Sequence, residues 1–371
     1  MVPNLRFKKF NNNWSRTTIS KVCVCNPKNE DKLDDEFIYI DLESVEKGVL
    51  KSKNIIHLKN APSRAQRILY KNDILFQSVR PYQRNNYLLN EDDDFLQYVA
   101  STGYIQLRTT LNPYFLFQLL NTDKINNEVM LRCTGTSYPA INSNDFSNIL
   151  ITITNDRNEQ NKIAKFFSLI EERIQTQIII INDYKILKNH IIKSFIKQNG
   201  TSYLLSEIAE LGRGRVINSA EISKQKNPIY PVYSSQTSNN GIMGYLDNYD
   251  YEGEYITWTT DGANAGTVYY RNGKFNCTNV CGILKIKNGY DAYYISNILN
   301  CYTKKYVSTN LANPKLMNNV MANIKINLPS IEQQKHSSKI LQSIEYRVEI
   351  EEDIKLNLVK QKAFLLKNMF I

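Results

Sequence analysis

EQNKIAKFFSLIEERIQTQIIIINDYKILKNHIIKSFIK, Glu159 to Lys197, decides the fold, because the chain repeats it 174 positions later as QQKHSSKILQSIEYRVEIEEDIKLNLVKQKAFLLKNMFI, Gln333 to Ile371. Gln160 aligns with Gln334, Lys165 with Lys339, Ile170 with Ile344, Glu171 with Glu345, Arg173 with Arg347, Ile180 with Ile354, Lys188 with Lys362 and Lys193 with Lys367. A segment used twice at this spacing implies a duplicated module. In the first copy Ile163, Phe167, Ile170, Ile174, Ile181, Tyr184, Ile191 and Phe195 follow alternating three- and four-residue steps, broken only at Gln177 and Lys188. The second copy keeps Leu341, Ile344, Val348, Leu358, Leu365 and Met369 on those steps, with Ser337, Glu351, Lys355 and Lys362 between them. This heptad-like seam predicts two long helices packed on each other. A helix of 39 residues would be roughly 58 Å long, too long for either flanking segment to cover, and stiff enough to act as a ruler.

The rest of the composition narrows the class. The chain has 371 residues, 42% of them apolar, and a mean hydropathy of -0.42, which fits two ordinary globular domains. No apolar stretch approaches the roughly 20 residues of a membrane span, and the start MVPNLRFKKF has no apolar core of a signal peptide. A cytoplasmic location is expected. Cys23, Cys25, Cys133, Cys277, Cys281 and Cys301 form no CxxC, and His57, His190 and His336 are too few for a finger-type zinc site. They read as reduced thiols. The net charge of +10 is spread along the chain, +3 over 1–158, +3 over 159–198, +3 over 199–330 and +1 over 331–371, as suits contact with a polyanion along its length.

The segments outside the helices are duplicated more faintly. Residues 1–158 and 199–330 are rich in β-branched and aromatic runs punctuated by Asn, Gly and Ser. DILFQSVRP (Asp73–Pro81) matches EYITWTTDG (Glu254–Gly262) as an apolar strand entering a polar turn. GYIQLR (Gly103–Arg108) matches GILKI (Gly282–Ile286), and YPAINSNDFSNILITI (Tyr138–Ile153) matches NPKLMNNVMANIKINL (Asn313–Leu328). Four segments are expected: a first domain at 1–158, a central helical spacer at 159–198, a second domain at 199–330 and a C-terminal spacer at 331–371.

With these residues in view, the chain resembles the specificity subunits of type I restriction-modification systems. The resemblance is carried by Glu159–Ile174, by Leu328–Val348 and by the terminal KAFLLKNMFI, where the family's helical repeats read like LPPLxEQxKIAxxLSxLDxxI and its ends like GLLQxMF. It extends through Ala61–Arg84, ASTG (Ala100–Gly103), PVYSSQT (Pro231–Thr237), ITWTTDGANAGTV (Ile256–Val268) and CTNVCGIL (Cys277–Leu284), and so covers essentially the whole chain. The second helical copy departs from the pattern at His336, Ser337 and Ser338, which predicts a weaker helix start.

The resemblance implies an α/β fold, with two α/β target recognition domains in pseudo-two-fold arrangement joined by an antiparallel coiled-coil spacer. Each domain would read one half of a split double-stranded DNA sequence. Two modification (methyltransferase) subunits and, in the full complex, two restriction (ATP-dependent translocase and nuclease) subunits would bind the chain, which would itself need no cofactor, no metal and no membrane. A specificity subunit of another bipartite-site system, or a coiled-coil scaffold that binds protein only, are the alternatives.

Base edges are read through hydrogen-bond donors and acceptors, while phosphate contacts fix register. In the first domain Arg64, Arg67, Gln77, Arg80, Tyr82 and Arg84 gather such groups at the ends of a predicted strand. In the second, Arg213 and Arg215 sit among glycines in LGRGR, and Tyr233, Ser234, Ser235, Gln236 and Thr237 form a dense polar row. Trp258, Thr259, Asp261 and Asn264 follow an apolar strand, with Thr278 and Asn279 beyond. Catalytic machinery is not expected: GRGR is no phosphate loop, no HExxH or GxSxG occurs, and NPYF (Asn112–Phe115) is only partly like the NPPF of adenine methyltransferases.

Overall fold

The computed structural model describes residues 1–91, 95–197, 200–308 and 313–371. The expected boundary between 198 and 199 lies outside the described residues. The two repeats are helices, a central one at Arg157–Ile196 and a C-terminal one at Ile331–Met369. The chain divides into two compact units, Met1–Ile178 with Asp353–Ile371 and Ile179–Glu352. These units cut across the four segments read from the sequence, because each takes half of each helix.

Both units are built on one plan. In the first, Ser15–Thr18 pairs with Leu150–Ile153, a single helical turn at Ile19–Val22 follows, and Cys23–Cys25 pairs with Tyr104–Thr109, which pairs in turn with Ile74–Gln77. In the second, Thr201–Leu204 pairs with Lys325–Leu328, a turn at Leu205–Ile208 follows, and Ala209–Arg213 pairs with Cys281–Ile286, which pairs with Tyr251–Thr259. Helices Pro113–Leu120 and Ala292–Tyr302 occupy matching places, as do Ser143–Ser147 and Asn318–Ala322. The three matched pairs of segments read from the sequence are therefore matched elements. The units differ in what is added. The first has a separate four-stranded sheet, ordered Asn54–His57, Glu36–Ile40, Gln97–Ser101, Ala65–Leu69, whereas the second extends its main sheet through Val268–Cys277, Tyr230–Tyr233 and Ile242–Leu246.

The seam residues do what their spacing implies. Ile163, Phe167, Ile174, Ile181, Leu341, Ile344 and Met369 are buried. Within the first unit Lys362 pairs with Glu171, and within the second Lys188 pairs with Glu345. These are one interaction made twice, since Glu171 aligns with Glu345 and Lys188 with Lys362. The lysines that interrupt the apolar seam are thus neutralised by the facing helix, and the pairing is antiparallel in each unit. Lys185 and Glu352 add a further pair at 2.7 Å in the second unit.

Gln160 and Gln334 tie each helix start to its own unit. Gln160 Nε2 donates to the Thr154 carbonyl and its Oε1 accepts from the Asn112 N–H, both at 2.9 Å. Gln334 repeats this with the Pro329 carbonyl at 2.9 Å and the Asp291 N–H at 3.1 Å. Asn112 and Asp291 are in turn the N-caps of Pro113–Leu120 and Ala292–Tyr302, accepting from Phe115 N–H at 3.0 Å and Tyr294 N–H at 2.8 Å. NPYF is therefore a capped helix start with proline in its first turn. The weak start expected of the second copy is not found. Ser337 and Ser338 are buried, and Ser338 donates to Asp291 Oδ1 at 2.7 Å, so short side chains there admit the neighbouring helix cap.

Candidate nucleic-acid interface

In the second unit the polar candidates converge. The strand Tyr251–Thr259 returns as Val268–Cys277 through a hairpin turn that carries Asp261 and Asn264. That turn is held by Gly266 N–H donating to the Thr259 carbonyl at 2.8 Å and by Thr259 Oγ1 donating to the Asn264 carbonyl. Beside it lie the loop after Tyr230–Tyr233 and the turn joining Val268–Cys277 to Cys281–Ile286. Together they enclose an open cleft of about 450 Å³, whose lining includes Ser234, Ser235, Gln236, Asp261, Asn264, Thr278 and Asn279. Seven residues singled out by the sequence thus share one site. Asn264 Nδ2 donates across it to Thr237 Oγ1 at 3.2 Å. Asp261 faces Lys315 at 3.4 Å and accepts from Thr260 Oγ1 at 2.6 Å, so its charge is partly balanced. Thr278 is buried, and its hydroxyl has no hydrogen-bond partner among the described residues.

Other candidates serve the scaffold. Trp258 is fully buried, with its indole N–H donating to the Leu316 carbonyl at 2.9 Å, and Thr259 is buried beside the turn it holds. Both side chains are enclosed, because the end of their strand is buried on both faces, so neither is presented at the surface as the sequence reading expected. Arg215 is tied to Glu221 at 2.7 Å and Asp250 at 3.0 Å, and Glu221, the largest influence, raises its pKa. Its charge is spent internally. Arg213 is exposed and reaches Asn318 Oδ1 at 3.3 Å. Tyr233 lies with its ring 3.5 Å from the guanidinium carbon of Arg271, a residue that the sequence did not single out.

The first unit places its candidates at the matching corner. Arg80 follows Ile74–Gln77 as Gly262, next to Asp261, follows Tyr251–Thr259, and the parallel extends to the backbone. Arg80 N–H donates to the Pro139 carbonyl at 2.8 Å, and Gly262 N–H donates to the Pro314 carbonyl at 3.0 Å. Arg80 and Arg84 flank the short turn Pro81–Gln83, both with left-handed backbone, φ 53° and 54°. Non-glycine residues seldom adopt that conformation unless the fold imposes it. The turn presents Tyr82, which is exposed, while Arg80 stacks on Tyr138 at 4.4 Å and Arg84 pairs with Asp123 at 2.7 Å. Gln77 is buried, its amide engaged by Gln83 and by the Asn85 N–H, and so braces the turn from within. Arg64 is exposed in the turn before Ala65–Leu69. Arg67 is half-buried, with Nε and Nη1 lacking a hydrogen-bond partner among the described residues, and burial lowers its pKa.

Among the described residues no group of three or more His, Cys, Asp or Glu could hold a metal ion, and no helix is long and apolar enough to cross a membrane.

The architecture is that of a known class. A crystal structure of the S subunit of a type I restriction-modification system from M. genitalium superposes with a TM-score of 0.65 at 18% identity, covering 100% of this chain and 99% of that one. The family profile described as Type I restriction modification DNA specificity domain matches residues 199–361. A putative type I specificity subunit of Mycoplasma pneumoniae, designated an N-terminus, is 43% identical over 142 residues, 38% of this chain and 75% of that protein. A second from the same organism is 38% identical over 162 residues, 43% of each chain, so the match spans less than half the length of that relative. The chain belongs to the type I restriction-modification specificity subunits.

Proposed function

We propose that the chain reads a split DNA sequence, one half through residues 1–158 and the other through 199–330, while the helical segments 159–198 and 331–371 set the unread gap. The observation that carries this is the repeated corner. Two units of one topology place polar and basic groups after the same strand, half-buried Arg80 and exposed Tyr82 in one and half-buried Asp261 and exposed Asn264 in the other. Arg64, Arg67, Arg80, Arg84 and Arg213 suit phosphate or guanine, Gln236 and Asn264 suit adenine, and Asp261 suits an amino group such as that of cytosine. Ser234, Ser235, Thr237 and Asn279 complete the second reading surface, with buried Thr278 beneath it. The spread charge of +10 supplies sequence-independent attraction to the backbone.

The chain itself performs no chemistry in this reading. Two modification subunits, and two restriction subunits in the full complex, carry methylation and cleavage in the cytoplasm. A duplicated chain offers each pair similar docking surfaces. Replacing Gln236 and Asn264 by alanine is expected to cost about 1–3 kcal/mol of base discrimination for each bidentate pairing with a base that the substitution removes. The loss should fall in one half-site only. Selection from a duplex library with both halves randomised measures it, and equal losses in both halves, or no sequence preference in the parent chain, would overturn the reading.

A further inference from the structure

Arg271 lies outside the cleft on Val268–Cys277 and is only 4% exposed. Its guanidinium sits between the rings of Tyr233 at 3.5 Å and Tyr269 at 4.4 Å. Nε donates to Thr257 Oγ1 at 3.2 Å and Nη2 to the Asn240 carbonyl at 2.9 Å. The groups that interact with its charge are tyrosines and cysteines, with no carboxylate among them, and burial, the largest influence, lowers its pKa. A buried cation without an acidic partner is costly, so the aromatic faces and the carbonyl are what compensate it.

The Asn240 carbonyl belongs to the loop that forms one wall of the cleft. That loop runs through three consecutive left-handed residues, Asn239 at φ 49°, Asn240 at 51° and Gly241 at 82°. Local preference opposes such a path for the two asparagines, so the loop needs external ties. Among the described residues these include Ser234 N–H to the Gly241 carbonyl at 2.9 Å, Gln236 Nε2 to the Ile242 carbonyl, Asn264 Nδ2 from the hairpin turn to Thr237 Oγ1 at 3.2 Å, and Arg271 to Asn240. Of these, only Arg271 reaches the loop from the sheet beneath it. Gly241 is moulded to that contact, since a Cβ there would stand 3.1 Å from Arg271 Nη2.

We infer that Arg271 is a positioning residue for sequence recognition: its planar fork, clamped between Tyr233 and Tyr269, fixes the wall from Ser234 to Ile242 and thereby sets the base preference of the half-site read by the second unit. This rests on the cleft being a DNA-reading surface. It asks of Arg271 a geometry that a lysine cannot supply, because an ammonium has neither the flat stacking face nor the two divergent donors.

The test uses the full chain, expressed with a type I modification subunit, and a duplex library randomised in both half-sites. Arg271→Gln and Arg271→Lys should each lower discrimination in one half-site by about tenfold, the size of one mismatched base pair, and leave the other unchanged. Gly241→Ala, which brings a Cβ against Arg271 Nη2 and strains a backbone held at φ 82°, disturbs the same wall from the loop side and should act on the same half-site. If Arg271→Lys restores discrimination while Arg271→Gln loses it, charge and not the fork matters, and the inference falls. It falls equally if cleft variants such as Asn264→Ala shift the preference while the Arg271 and Gly241 variants do not. If cleft and Arg271 variants all leave both half-sites unchanged, the cleft is not a reading surface, and both the proposed function of that surface and this inference fail. Emission from Trp258 reports folding of the second unit; should the Arg271 variants unfold it, Gly241→Ala decides.

Discussion

Trp258→Ala should destabilise the second unit by about 3–5 kcal/mol, the cost of deleting a buried aromatic side chain. The indole is fully buried in a cluster with Leu284, Tyr294, Leu316 and Met321, and its N–H satisfies the Leu316 carbonyl. Leu316 N–H in turn donates to the Thr260 carbonyl at 2.9 Å, at the root of the turn bearing Asp261 and Asn264. The cavity cannot close from the facing strand, where Gly282 lies flat against the ring; a Cβ at Gly282 would fall 2.1 Å from Trp258 Cζ2. A loss of this size is a large share of the roughly 5–15 kcal/mol that holds a typical domain folded. The chain has two tryptophans, one in each unit, so in this variant Trp14 reports the first unit alone. Urea unfolding followed by circular dichroism should show the second unit melting early while the Trp14 transition keeps its midpoint. An unchanged circular dichroism transition would contradict the role given to this side chain. Trp258→Phe, which keeps most of the packing and loses the N–H, should recover most of the stability.

Phe370→Ala is the counterpart in the first unit, with an expected loss of about 3–5 kcal/mol. Phe370 is 6% exposed and lies against Phe115 at 5.4 Å, Phe167 at 5.9 Å and Trp14 at 6.2 Å between ring centroids. Two residues earlier, the Asn368 carbonyl accepts from Leu5 N–H at 2.9 Å. The C-terminal helix therefore ends as part of this core. Removing the ring should expose Trp14, shift its emission to the red and lower the first unit's urea midpoint, with Trp258 unaffected. A Trp14 transition that does not move would show that the cluster adds nothing to stability.

The helices and the matched segments of the two units were legible because they depend on local period and on a repeat within one chain, whereas the antiparallel direction of the helices came only from the family resemblance. Lys188 and Lys362 interrupt the seam as sequence, yet each meets a glutamate supplied by the other copy, a partner that periodicity cannot reveal. Ser337 and Ser338 look like poor helix formers until Asp291, 47 residues before Ser338, is brought against them. Burial was the harder question. Trp258 and Gln77 stand beside polar residues, Thr257 and Thr259 in one case and Ser78 in the other, and only long-range strand pairing decides that these stretches are buried on both faces. Arg271 was missed for the same reason. A lone arginine among tyrosines gives no sign that its guanidinium ends beneath a loop some 30 residues away, at Asn240. The convergence of Ser234 to Gln236 with Asp261, Asn264, Thr278 and Asn279 was legible only as three separate polar turns.

The ruler is tested most directly by lengthening both helices together. Four residues, about one helical turn, inserted after Ile180 and after Ile354 keep the two copies in step. DNA selected from a randomised library by the parent and lengthened chains, each with its modification subunit, gives both half-sites and the gap. The account predicts unchanged half-sites separated by a longer gap; an unchanged gap, or an altered half-site at the same gap, would contradict it.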